Sequence, residues 1–295
     1  MKLFTLMQST RLPFLILTPV CVFLGAAVSI YSAEAIDYSP LPLVIAGALL
    51  AHIAVNTFNE HYDFKSGLDL ITDKTPFSGG SGALPDNPEA ANEVLLLASL
   101  TMLATVAIGL YLAVTSGLGI IPIGLLGLLL IAAYTGWITK HPLLCLVAPG
   151  TGFGFLMVIG TQYVLTADFL PLSALIALVP FFLVNNLLLL NQYPDINADK
   201  AVGRYHLPIA YGTHASNIVY AVFALAAALA ISLLVVFNIL PLLSLVALLP
   251  LLLAGFALSG AIKHQQNIGH SPQYLAANVA TTILTPLILG VSLIL

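Results

Sequence analysis

Long apolar stretches alternate with short polar interruptions along nearly the whole chain, and their lengths predict the fold. Segments of about 20 residues, enough to cross a bilayer as a helix, can be drawn at 12–31, 41–60, 94–115, 117–138, 143–165, 169–190, 214–237, 239–262 and 274–295. Tight turns at Gly117 and Asn238 separate the closest neighbours. The pattern therefore predicts nine transmembrane helices. Basic residues test the count. Lys2 and Arg11 precede the first segment, Lys65 and Lys74 follow the second, Lys140 the fourth, Lys200 and Arg204 the sixth, and Lys263 the eighth. With nine crossings all eight cations lie on one side, as the positive-inside rule requires, whereas losing one span scatters them. That rule puts the amino terminus and the loops after segments two and six in the cytoplasm, and the carboxyl terminus outside. The first segment is kept as a span, because its apolar stretch exceeds the roughly 7–15 residues of a signal peptide's central region.

Composition agrees. Hydrophobic residues make up 60% of the chain and charged residues 7%, against roughly 25% charged in soluble domains. Mean hydropathy is +1.05, which excludes a soluble fold and implies an integral membrane protein; a bacterial-type inner membrane is the expected location. The net charge of −4 gives no indication of a nucleic-acid partner. Cys21 and Cys145 lie in apolar runs with no metal or disulfide spacing, so they read as small core hydrophobes.

Against this background two polar interruptions stand out. In 185–212 an apolar run ends at Asn191, followed by Asp195 and Asp199, then Lys200 and Arg204. Carboxylates four apart share a helical face, and Pro194 suits the first turn of a helix over 194–202. Taken alone, this is equally well a solvated loop at a helix end. A second copy changes the reading. In 52–69, His52, Asn56, Asn59 and Asp63 form a polar stripe up one face of an apolar helix, and Asn59 precedes Asp63 by four as Asn191 precedes Asp195. The clusters close segments two and six, a four-helix offset suggestive of an internal pseudo-repeat. The two longest cytoplasmic loops, 61–93 and 191–213, carry them.

Carboxylates in an oxygen-rich setting, without thiols or spaced histidines, select a hard ion, Mg²⁺ or Mn²⁺. Mg²⁺ is typically held by few carboxylates plus phosphate oxygens, and Lys65, Lys74, Lys200 and Arg204 are candidates for the remaining phosphate charge. The stripe running into the membrane implies an apolar remainder, so a lipid diphosphate meets all three conditions. Tyr62, Phe64 and Tyr193 flank the carboxylates, as cation shields or as ordinary interfacial aromatics. His52 is a candidate cavity residue or interhelical donor, and Asn185 and Asn186 read as interhelical hydrogen-bonding groups.

The two clusters resemble the aspartate-rich motifs of the UbiA superfamily of intramembrane prenyltransferases. The first is Asn59-Glu60-His61-Tyr62-Asp63 with Asp69, and the second is Asp195 and Asp199 within 191–204. The six-residue step from Asp63 to Asp69 through Phe-Lys-Ser-Gly, and Phe155 to Tyr163, are similar to the menaquinone-type branch, which prenylates 1,4-dihydroxy-2-naphthoate. On a continuous helix that step leaves the two carboxylates far apart in angle, so a break at Gly67 is expected. The resemblance implies a single domain over 1–295, nine helices ringed around a central cavity, and two cytoplasmic loops capping it. It implies Mg²⁺-dependent transfer from an allylic polyprenyl diphosphate to a hydrophobic aromatic acceptor, a quinone precursor. Asn59, Asp63, Asp69, Asp195 and Asp199 would serve the metal, with Asp63, Asp195 and Asn59 central to catalysis. Lys65, Lys200, Arg204 and Asn191 would bind diphosphate. The chain departs from the family pattern at Glu60, at Thr75-Pro76-Phe77-Ser78-Gly79-Gly80-Ser81-Gly82 and at Gly203-Arg204-Tyr205-His206-Leu207. The 78–82 stretch is either a backbone phosphate cradle or a flexible tip.

Readings from other classes are weaker. A secondary transporter would carry its polar site near mid-membrane, whereas these carboxylates sit at helix ends. An alcohol phosphotransferase would show an Asp-Gly…Ala-Arg signature, which is absent. A purely structural membrane protein leaves the clustered acids unexplained.

Overall fold

The computed structural model describes residues 2–295, leaving aside the side chain of Lys2. Among these residues all regular structure is helical. A short helix α1 (Lys2–Ser9) leads into α2 (Leu12–Ser32) and α3 (Leu41–Lys65), followed by two one-turn helices, α4 (Leu68–Ile71) and α5 (Ala83–Asp86). Then come α6 (Pro88–Ser116), α7 (Ile120–Ala133), α8 (Pro142–Thr166), α9 (Pro171–Asn191) and α10 (Ile196–Ala201). The last three runs are α11 (Leu207–Val236), bent at Gly212, α12 (Leu242–His270) and α13 (Pro272–Ile294).

Eight helices among the described residues are long and apolar enough to cross a membrane: α2, α3, α6, α8, α9, α11, α12 and α13. The difference from the predicted nine is α7. Segment 117–138 supplies only 14 residues of regular α-helix, about 21 Å at 1.5 Å per residue, against a hydrocarbon core of about 30 Å. Beyond Ala133 the chain relaxes into turns and a 3₁₀ stretch, Ile138–Lys140. At one side of α7 the Gly119 N–H donates to Tyr163 Oη (2.9 Å), near the far end of α8; at the other, the Thr139 carbonyl accepts from the Tyr205 N–H (2.9 Å).

Successive long helices pack side by side, and α13 closes the ring against α2. The interior is filled unevenly. The largest apolar core joins Leu24 of α2, Val158 of α8, Ile176 and Leu183 of α9, Ile231 of α11 and Leu289 of α13. Of α9's apolar span 61% is buried, against 17% for α6, so α9 sits inward while α6 faces lipid. This displaces the cavity. Its volume is about 910 Å³, and α2, α3, α6, α7 and α8 line it while no residue of α11 or α12 does. The cavity is thus walled off from α11 and α12, and α9 and α13 meet it through Leu187, Leu188, Asn191, Val279 and Ile283.

Outward faces carry exposed apolar side chains at helical spacing, such as Val222, Leu225, Leu229 and Val236 on α11, an arrangement suited to lipid. Buried polar groups tie helices together. Asn186 Nδ2 donates to the Tyr220 carbonyl (2.9 Å), Tyr220 Oη to Asn278 Oδ1 (2.9 Å), and Asn278 Nδ2 back to the Asn186 carbonyl (3.1 Å). The Gly150 N–H donates to Asn185 Oδ1 (2.6 Å). These are the interhelical bonds expected of the paired asparagines.

Candidate functional site

The polar stripe of α3 turns into the cavity: His52, Asn56, Asn59 and Asp63 all line it. Helix α3 stops at Lys65, and Gly67 adopts a left-handed conformation (φ 81°), which suits a residue without Cβ. The chain then re-enters a helical turn, α4, that returns Asp69 to the same cavity. On the other side α9 ends at Asn191, and Asp195 stands at the N-cap of α10, with Asp199 one turn on. Both motifs thus reach one mouth, where Asp63, Asp69, Asn191, Asp195 and Asp199 share the lining.

Arg204 joins them. Its guanidinium donates to Asp63 of the first motif and, through Nη1, to Asp199 of the second (3.0 Å). His206 Nε2 meets the other Asp199 oxygen at 2.9 Å. Asp195 Oδ2 accepts from the Gly79 N–H (3.2 Å), so the glycine loop crosses from one motif to the other. Asn59 is held at both ends, its Oδ1 accepting from Arg11 Nη2 (3.3 Å) and its Nδ2 donating to Thr135 Oγ1 (3.1 Å). His52 lies deeper, 2.8 Å from Thr18 Oγ1 and edge-on to Phe153.

Several buried oxygens lack partners: Asp69 Oδ2, Asn191 Oδ1 and Asp195 Oδ1. Unsatisfied acceptors cost free energy unless something binds them. Burial, reinforced by Glu60 and Asp63, pushes the Asp69 carboxyl up to about 7. Burial and the neighbouring Asp199 push Asp195 up to about 7 as well. Negative charge at this mouth is therefore under-compensated. Among the described residues no three acidic, His or Cys groups converge closely enough to hold a metal by themselves. A hard divalent cation fits such a donor set through one or two carboxylates, with ligand oxygens completing its shell.

The structure separates the predicted residues. Lys65 and Lys200 are exposed and do not line the cavity. Each follows an inward carboxylate by one or two residues, hence by about 100° or 200° around its helix. The cationic lining comes instead from Arg11, Lys74 and Arg204. Arg11 signals the first span in the sequence, but nothing local shows its reach to Asn59. The flanking aromatics are also elsewhere. Tyr62 is exposed, Phe64 packs beside Leu84, and Tyr193 is buried with its hydroxyl on Asn217 (2.8 Å). Phe77, Tyr134 and Phe153 line the cavity in their place. No sequence signal marks Tyr134 beyond its position at the end of an apolar segment.

Comparison with known proteins supplies the context. The sequence model of the UbiA prenyltransferase family matches residues 18–276. A 1,4-dihydroxy-2-naphthoate octaprenyltransferase of Bacillus subtilis (strain 168) is 30% identical over 233 residues, 77% of this chain and 70% of that protein. The fold is similar to the apo structure of a UbiA homolog from Aeropyrum pernix K1, with a TM-score of 0.69 at 16% identity over 92% of this chain and 95% of that one. A UbiA homolog from Archaeoglobus fulgidus, solved with DMAPP and Mg²⁺, gives a TM-score of 0.64 at 14% identity over 95% and 98% of the two chains.

Proposed function

The chain belongs to the UbiA prenyltransferase family, and from that premise we propose that it transfers a polyprenyl group from an allylic diphosphate to a lipid-soluble aromatic acceptor. The acceptor class is a dihydroxynaphthoate-type quinone precursor, as the name of the Bacillus relative suggests for that enzyme, and diphosphate is released. Family membership sets aside the transporter reading. The observation that carries the finer proposal is the single mouth, where carboxylates of both motifs and three cations rim a cavity whose remaining walls are mostly apolar.

The residues present fit Mg²⁺ or Mn²⁺. Asp63, Asp69, Asp195 and Asp199 offer carboxylate oxygens, and the orphan Asn191 Oδ1 is better placed as a ligand than Asn59, whose oxygen already accepts from Arg11. When bound, the ion supplies charge neutralisation for the departing diphosphate. Arg11, Lys74 and Arg204 bind the remaining phosphate charge. Tyr134 lies in the lining beside these groups, where its ring face stabilises positive charge developing on the allylic carbon. Ile123, Leu128, Leu156 and Met157 hold the prenyl chain and exclude water. His52, oriented by Thr18, is the polar group at acceptor depth.

We read α7, with its flanking turns, as the ninth crossing. Its start is tied by Gly119 to Tyr163 near the far end of α8, and its other end runs through Ile138–Lys140 into the start of α8 at Pro142, so both cover the same depth. With nine crossings every cation lies on the side of the mouth, which is cytoplasmic by the positive-inside rule. The amino terminus shares that side, and the carboxyl terminus is outside.

The test uses membranes containing the protein, an allylic polyprenyl diphosphate, Mg²⁺ and 1,4-dihydroxy-2-naphthoate. Diphosphate release with a prenylated product is expected, and Asp63→Asn and Asp195→Asn abolish it. Turnover persisting in both variants refutes the assignment of these carboxylates.

A further inference from the structure

Glu60 lies in the first motif between two cavity-facing positions, yet it does not line the cavity. Its side chain is completely buried, and three protein donors surround its carboxylate. Arg11 Nη2 lies at 3.2 Å, the Ser81 N–H at 3.3 Å, and the Ser81 hydroxyl donates to the other oxygen. Ser81 in turn holds the chain on either side of it. Its Oγ accepts from the Ala83 N–H (3.0 Å), and its carbonyl accepts from Lys74.

We propose that Glu60 is a positioning residue that latches the glycine loop 78–82 over the carboxylate mouth, and not a metal ligand. The loop needs such a tether. Gly79, Gly80 and Gly82 all have positive φ (81°, 71° and 72°), a backbone path with little rigidity of its own. Beyond the latch the loop presses on both motifs. The Gly79 N–H reaches Asp195, and a Cβ on Gly80 would sit 2.7 Å from Asp69 Oδ1. Among the described residues Asp69 and Asp195 are the two carboxylates with a buried, unpartnered oxygen. The latch therefore sets how far the loop backbone stands from the oxygens that receive ligand. Reach decides the residue type. An aspartate is shorter by one carbon–carbon bond, about 1.5 Å; it keeps a charge beside Arg11 but withdraws from Ser81.

This deepens the proposed function, on which only the kinetic arm of the test depends. The full chain in nanodiscs, without ligand, is compared as wild type, Glu60→Asp and Ser81→Ala by hydrogen exchange of peptides covering 77–84. Both variants lose a charge-assisted hydrogen bond, so exchange there quickens by about tenfold or more. In turnover, the KM for geranylgeranyl diphosphate rises severalfold, while the Mg²⁺ concentration giving half-maximal rate is unchanged. Glu60→Asp leaves no unpaired guanidinium, and Ser81→Ala leaves the carboxylate intact, so either variant alone decides the question. Unchanged exchange across 77–84 overturns the latch. A shifted Mg²⁺ requirement with unchanged exchange marks Glu60 as a ligand instead. Should the wild type turn over no prenyl diphosphate, the function proposal fails while the exchange arm still decides the latch.

Discussion

Among the described residues Arg204 is the one side chain that touches carboxylates of both motifs, so Arg204→Gln is the most informative single change. The arginine is 15% exposed and its partners Asp63 and Asp199 are 5% and 4% exposed. Removing one partner of a buried ion pair costs about 3–5 kcal/mol. Here the lower end applies, because the carboxylates border a polar mouth and can take up a proton or an ion; about 3 kcal/mol is expected. The freed carboxylates then attract a divalent ion without competition. A unit charge pair at 4 Å is worth about 4 kcal/mol at an effective dielectric constant of 20. Recovering even a third of that raises Mg²⁺ affinity about tenfold. The assay is thermal unfolding in nanodiscs across a Mg²⁺ titration, without diphosphate. Arg204→Gln should melt well below wild type in chelator and regain most of the difference with Mg²⁺, at concentrations about tenfold lower than those that stabilise wild type. Prenyl diphosphate binding should weaken at the same time. A variant whose lost stability Mg²⁺ does not restore would refute the clasp.

Further outcomes follow from other groups. Asp69 and Asp195 have folded-state values near 7 against an ordinary carboxylate near 4, so without metal the folded state holds extra protons between these limits. Stability in chelator should therefore fall as pH rises from about 4 to 7 and level off above. Mg²⁺ binding below pH 7 should release protons, seen as a buffer-dependent heat in calorimetry. Lys65→Gln and Lys200→Gln, at exposed positions outside the cavity, should leave the KM for prenyl diphosphate within about twofold, since surface charges contribute little. Arg11→Gln should raise it by an order of magnitude or more. Tyr134→Leu should lower kcat by about threefold to thirtyfold with little change in substrate KM, the worth of a cation–π contact. Asn278→Ala breaks the buried ring with Asn186 and Tyr220 and should cost about 1–3 kcal/mol of stability, read by thermal unfolding.

Much of this architecture is legible in the sequence because the membrane imposes one rule. Backbone groups must be paired within each helix, so apolar run length reports the span directly. The inward stripe of α3 is likewise legible, since His52, Asn56, Asn59 and Asp63 stand at helical spacing. The break at Gly67 follows from the need to bring Asp69 around. What the sequence hides is packing between distant segments. Asn185 and Asn186 indicate that α9 bonds to neighbours, but not which apolar faces meet which helices, so the offset of the cavity is not visible. Lys65 and Lys200 lie outside the cavity because a step of one or two residues from a carboxylate turns the side chain about 100° or 200° around the helix. Arg11 and Tyr134 lie far in sequence from either motif, and only the packing of α2 and α7 against α3 brings them in. The shortness of α7 is hidden for another reason: apolar composition continues through residues that leave the α-helical path.

The uneven filling of the ring divides the molecule into a rigid block and a supple wall. On one side α9 clamps α11 and α13 through tightly interlocked side chains; on the other, α6 has most of its surface against acyl chains. That wall rests on the packing of α6 against α3, with the bilayer supporting its outer face. Solubilisation in detergent should slacken the wall first, so catalytic competence would vanish while helical content and most of the block stay intact.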